Sequence, residues 1–175
     1  MDTHGIRLRD ATPQDRPAVH RCTLAAYEQY AQTMGEGWQS LRGALLAALA
    51  GDDPAVQRIV AERDGEVLGS VMLYPPAVSA YGDLSGAVQW PELRLLAVAD
   101  AARGLGVGRA LVQECIRRAR AGGATHLGLH TNEAMTVAVG LYERMGFVRD
   151  PEHDFVAPTG ERIAAYLLSL GAPDA

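Results

Sequence analysis

The segment Ala102-Arg103-Gly104-Leu105-Gly106-Val107-Gly108-Arg109 alternates three glycines with larger residues, brackets them with two arginines and leads straight into an apolar helical pattern. Glycine at that density ahead of a helix lets something approach the main chain closely. A strand, a glycine loop and a helix N-terminus in succession present backbone N–H groups at the positive end of the helix dipole. That suits an anion, and a diphosphate in particular. Arg103 or Arg109 would add charge-assisted hydrogen bonds. The dinucleotide fingerprint Gly-x-Gly-x-x-Gly/Ala fails in both registers, since the last position falls on Arg109 or on Leu111. The same residues also suit a turn whose glycines only let a helix pack on a strand.

The elements that would position this loop follow from periodicity. An alternating strand over residues 5–12 precedes a helix that Thr12 caps and Pro13 opens. A second helix covers residues 38–50 and stops at Gly51. Residues 56–74 read as a hairpin turning at Asp64-Gly65. Residues 88–100 form a strand whose early part, at Pro91, must be an edge or a bulge. The loop helix then runs from about Arg109 to Ala121, with Leu111, Val112, Cys115, Ile116 and Ala119 at helical spacing. A short strand through Leu127 and Leu129, a helix from Ala134 to Met145 and a last strand after Pro158-Thr159-Gly160 complete a mixed α/β chain. No repeat or linker interrupts it, so residues 1–175 read as a single domain.

Bulk properties remove several function classes. The net charge is −5 with no basic run, which argues against nucleic acid. All sixteen basic side chains are arginine, so a P-loop lysine and a pyridoxal Schiff base are both excluded. Cys22 and Cys115 are isolated, giving neither a disulfide framework nor a zinc site. His126 and His130, four apart on a strand, lie roughly 13 Å from each other, too far to chelate one ion. No metal is expected. Neither a signal peptide nor an apolar run of membrane length is present, so the expectation is a cytoplasmic protein with no membrane partner.

Arg103-x-x-Gly106-x-Gly108 resembles the Arg/Gln-x-x-Gly-x-Gly/Ala signature of the GNAT superfamily of N-acetyltransferases, and it sits between a strand ending Leu-Leu-Ala-Val and a helix. Ala138-Val-Gly-Leu141-Tyr142-Glu-Arg-Met-Gly146-Phe147 is similar to that family's Ala-x-x-Leu-Tyr-x-x-x-Gly-Phe helix. The resemblance is specific from Glu92 to Phe147. It implies a central, mostly antiparallel twisted sheet of about six or seven strands flanked by about four helices, splayed at the cofactor-binding strand pair. It also implies that the pyrophosphate of acetyl-CoA is the group the glycines admit, and that the acetyl group passes directly to a primary amine of a small molecule or peptide. A non-catalytic acyl-CoA-binding sensor of the same fold is the alternative. Homodimers are frequent among similar proteins.

Residue roles follow by position. Arg103, Gly104, Gly106, Val107, Gly108 and Arg109 would wrap the pyrophosphate. The strand Leu96-Ala97-Val98 would present the main-chain N–H groups of Leu96 and Val98, at a bulge, to the pantetheine arm and the thioester. Tyr142 would protonate the leaving thiolate, since a phenol with a pKa of about 10 stays protonated at neutral pH. Glu92 stands where some members place a glutamate that deprotonates the amine, often through water, while others use waters or other groups. Tyr27, Tyr30, Trp38, Tyr74, Tyr81 and Asp83 fall where the family's acceptor lies, and aromatics with a carboxylate suit a cationic amine. His130 is a further candidate for lining that pocket. Met135 replaces an asparagine that helps hold the cofactor in many members, which puts that one contact in doubt.

Overall fold

The computed structural model describes residues 5–35, 37–76 and 88–171. Tyr81 and Asp83 lie outside them. Among the described residues eight strands and five α-helices form: β1 (Arg7–Asp10), α1 (Arg16–Glu28), α2 (Ala31–Met34), α3 (Gly37–Ala50), β2 (Gln57–Arg63), β3 (Glu66–Tyr74), β4 (Glu92–Val98), α4 (Val107–Ala121), β5 (His126–Thr131), α5 (Thr136–Arg144), β6 (Val148–Arg149), β7 (Phe155–Val156) and β8 (Arg162–Ser169). The chain divides into two compact units, Met1–Leu73 with Leu95–Cys115 and Tyr74–Arg94 with Ile116–Ala175.

In the first unit β1, β2 and β3 pair antiparallel, with Leu8 opposite Ala61 and Ile59 opposite Val71. Asp64 and Gly65 both take positive φ, 54° and 81°, as a two-residue hairpin turn of the mirror-image type requires. The second half of β4 joins this sheet, Ala99 donating its N–H to Leu68 O at 2.9 Å. Successive residues of β3 point to opposite faces. Ser70 Oγ lies 3.5 Å from Thr23 Oγ1 of α1, whereas a Cβ on Gly69 would stand 2.7 Å from Ala97 O and 2.9 Å from Val107 Cγ1 of α4. Helices α1 and α4 therefore cover opposite faces, and at Gly69 β3 lies too close to β4 and the loop helix to admit a side chain. Ile59, Val60, Leu111 and Val112 are fully buried in this core. So is Cys115, while Cys22 is 8% exposed. Burial, with Asp100 adding to it, pushes the Cys22 thiol up to about 11.

The first turn is held electrostatically. Asp15 accepts from both Nη atoms of Arg9 and from the N–H and hydroxyl of Thr12. These bonds, that to Arg9 above all, hold the Asp15 carboxyl well below the usual range against the opposing effect of burial.

In the second unit β8 pairs antiparallel with β5, β6 and β7, and β5 meets the start of β4 in parallel at Glu92↔Gly128. Ala157 N–H donates to Glu161 O, closing the hairpin that Pro158-Thr159-Gly160 predicts. Asp154, 10% exposed, accepts from both Nη atoms of Arg149 and from the Ala165 N–H. The bonds from Arg149 lead in holding its carboxyl down at about 2, against the burial that raises it. A depressed carboxyl stabilises the fold above its unfolded value and loses that contribution as pH falls through the folded one. Asp154→Asn is therefore expected to cost on the order of 2 kcal/mol at neutral pH. Thermal melts of variant and wild type should converge as pH approaches 2; parallel curves across that range would remove Asp154 as the acid-sensitive group.

Candidate active site

The glycine loop lies entirely in the first unit. A 3-10 turn over Asp100–Ala102 leaves β4, Leu105 N–H returns to Ala102 O, and α4 starts at Val107, two residues earlier than the sequence places it. Gly104 and Gly106 take φ of +78° and +81°, which glycine adopts freely and L side chains resist. A Cβ built on either would meet nothing within 4 Å. Helix–strand packing thus does not require these glycines. They bend the main chain on an open face, whereas the packing contact falls to Val107, 1% exposed, and to distant Gly69. The first-turn N–H groups of α4 lack partners within the helix by construction. Arg103 and Arg109 are both exposed beside them, Arg103 bridged to Asp100 at 2.8 Å.

Inside β4 the main chain leaves extended geometry at Leu95, whose φ is +57°. Beyond it the N–H of Ala99 points to β3. Main-chain N–H groups alternate along a strand, so that of Ala97 shares the direction of Ala99, and those of Leu96 and Val98 face away from β3. Two N–H groups in line at that edge can receive an amide-bearing chain and a carbonyl oxygen.

Tyr27 and Tyr30 stack edge to face, ring centroids 6.4 Å apart. Tyr27 also packs on Cys22, Ala26 and Ala97. Burial raises the Tyr30 hydroxyl from its ordinary value and the Arg103 guanidinium partly offsets this, so an acceptor candidate and the loop arginine share one field. Trp38 is half-buried on α3.

The remaining candidates belong to the second unit. Tyr74 is 8% exposed. Tyr142, on α5, is 6% exposed, with its ring 5.8 Å from that of Phe147. Met135, also buried, seats its sulfur 3.8 Å from Thr131 Oγ1, and Asn132 Oδ1 accepts the Ala134 N–H, so both side chains serve the turn before α5.

Glu92, at the start of β4, is 3% exposed, and the His130 side chain, near the end of β5, is 2% exposed. Glu92 Oε1 lies 2.9 Å from His130 Nδ1, with the two side chains 4% and 2% exposed. The approach has ion-pair distance without the alignment of a hydrogen bond. His130 Nε2 lies 2.9 Å from the carbonyl of His153, and the Phe155 ring is 5.1 Å away. The Trp90 indole stands over Gly128, where a Cβ would come within 2.7 Å of Cδ1, and reaches His153 at 4.9 Å between centroids. Trp90, His153 and Gly128 were not legible as neighbours, since only pairing across β4, β5 and β8 gathers them. Among the described residues no cluster suits a metal ion, and no helix is long and apolar enough to cross a membrane.

Known proteins are similar to this chain in sequence and fold. Residues 23–147 match the model of the acetyltransferase (GNAT) family. A mycothiol acetyltransferase of Cellulomonas flavigena is 37% identical over 149 residues, 83% of this chain and 41% of that enzyme. The chain thus spans about two fifths of the length of that curated relative. A GNAT acetyltransferase of Brucella melitensis, solved in complex with acetyl-CoA, is 28% identical with a TM-score of 0.59, covering 98% of this chain and 92% of its own. A ribosomal-protein-alanine N-acetyltransferase from the same organism shares the fold at 22% identity, with a TM-score of 0.59 and coverage of 93% and 99%. With a family match that runs from α1 through the glycine loop to the end of the Leu141-Tyr142 helix, the chain belongs to the GNAT family of acetyltransferases.

Proposed function

We propose that this chain is an acetyl-CoA-dependent N-acetyltransferase acting on a primary amine of a small molecule or peptide, and that residues 1–175 work as one catalytic domain. The carrying observation is the pair Gly104 and Gly106, left-handed and open where a Cβ would stand, at the N-terminus of α4. Such a cradle fits a pyrophosphate, with Arg103 and Arg109 adding charge. The Brucella complex with acetyl-CoA supports that ligand, and the family match running through both compact units supports a single domain.

Acetyl-CoA supplies an activated thioester; the rest of the chemistry falls to the chain. Val107, Gly108 and Arg109 direct first-turn N–H groups at the diphosphate. Leu96 and Val98 N–H orient the arm and polarise the carbonyl, a role worth several kcal/mol in well-placed donors. Glu92 takes the acceptor's proton at its carboxylate, through water, and Tyr142 gives its hydroxyl proton to the leaving sulfur. Tyr27, Tyr30 and Trp38 receive the acceptor. The names of the relatives point to both small-molecule and protein acceptors.

The test is coenzyme A release over a panel of small amines and peptide N-termini. Release with at least one amine is the expected result. Binding without release across the panel would identify a sensor. Glu92→Gln is expected to slow the reaction about 10²-fold at the acidic end of the pH–rate profile. The loss should shrink as pH rises and the amine sheds its own proton. A profile superimposable on wild type would take Glu92 out of the mechanism.

A further inference from the structure

His130 stands outside every motif of the family resemblance, yet its contacts fix where its protons are. A carbonyl oxygen only accepts, so Nε2, 2.9 Å from His153 O, must carry hydrogen and donate it. Nδ1 then faces Glu92 Oε1 at 2.9 Å, both atoms sealed from water. With no proton there, a lone pair would oppose a carboxylate oxygen. Two buried acceptors at that distance are untenable unless one of them carries a proton.

The surroundings narrow the choice. The Trp90 indole lies over Gly128, the strand partner of Glu92, and Phe155 packs on His130. His126 also packs against Trp90, at 6.2 Å between centroids. His153, whose carbonyl holds Nε2, has its own Nδ1 2.7 Å from Asp150 Oδ2, so its imidazole is committed elsewhere. Among the described contacts, a positive His130 would balance a buried Glu92 carboxylate.

We infer that His130 is a positioning residue: as an imidazolium it stands as the ion-pair partner of Glu92 Oε1 and donates Nε2–H to His153 O, keeping Glu92 ionised so that its other oxygen can take the acceptor's proton. The proton leaves the acceptor nitrogen and arrives on Glu92 Oε2, while His130 keeps both of its own. This rests on the reading of Glu92 as the base.

Nitrogen-15 spectra of the histidine rings in the full-length protein test the imidazolium without any turnover. Wild type is expected to show both His130 nitrogens protonated, and Glu92→Gln to show Nε2 protonated alone. A wild-type ring protonated only at Nε2 would overturn the inference. In kinetics, His130→Phe should lower kcat at least tenfold with acetyl-CoA affinity unchanged. His130→Gln, whose amide can still donate toward Glu92, should recover part of that rate. His130→Phe added to Glu92→Gln should cause no further loss; multiplying effects would show His130 acting independently of Glu92 and refute the assignment. Should Glu92→Gln prove fully active, the base reading falls by itself, and the nitrogen spectra still decide whether the pair holds the proton.

Discussion

Gly106→Trp is expected to abolish acetyl-CoA binding while leaving the fold in place. Nothing lies within 4 Å of the Cβ position, so the indole meets no protein wall and projects over the open face of the loop. The backbone at φ +81° makes the substitution cost roughly 1–2 kcal/mol in local strain, a few degrees of Tm in a chain of this size. The ligand loses far more, because the indole occupies the approach to the first-turn N–H groups of α4. Calorimetric titration of both proteins with acetyl-CoA is the check. Saturable binding by wild type alone would establish the loop as the cofactor cradle. Equal binding by both would move the diphosphate elsewhere. No binding by either at millimolar concentration would end the acetyltransferase reading for this chain.

Tyr142→Phe carries the second large effect. The ring is buried and meets Phe147 edge to face, and phenylalanine keeps that contact, so stability should change little. What the proposed reaction loses is the hydroxyl and the proton it would donate. A coenzyme A thiolate leaving without a proton donor should reduce kcat by about 10²-fold, close to 3 kcal/mol in the barrier, with cofactor affinity unchanged. Steady-state rates paired with calorimetry separate the two quantities. A kcat within twofold of wild type would make Tyr142 a packing residue and pass the thiolate's proton to solvent.

Local chemistry made much of this architecture readable in advance. Asp64-Gly65 announces its hairpin because two adjacent positive φ values admit few other residues, and Pro158-Thr159-Gly160 separates the β8 strand from a helix of the same periodicity. Two-residue β6 and β7 escaped because they exist only through pairing with β8, and α2 because four residues are too few to show a period. The start of α4 slipped because Gly106, read as loop, is the residue immediately before the helix, and buried Val107 anchors its first turn. In the site, the glycine loop was legible as a contiguous string. The Glu92–His130 contact was not: parallel pairing at Gly128 brings the carboxylate to the ring, and no spacing along one strand encodes a neighbour on another. The acceptor remained a composition of aromatics, since tyrosines at the end of α1 serve packing as readily as recognition.

The seclusion of the two sulfurs has a practical use. The proposed transfer releases a coenzyme A with a free thiol, and the native chain offers a thiol-reactive dye almost nothing of its own, with Cys115 sealed and Cys22 poorly ionised as well as covered. Colour developing during turnover would therefore count coenzyme A directly. In a preparation without substrate, the same dye would react only as the first unit opens, so its slow uptake, rising to two equivalents per chain in denaturant, would time the breathing of that core.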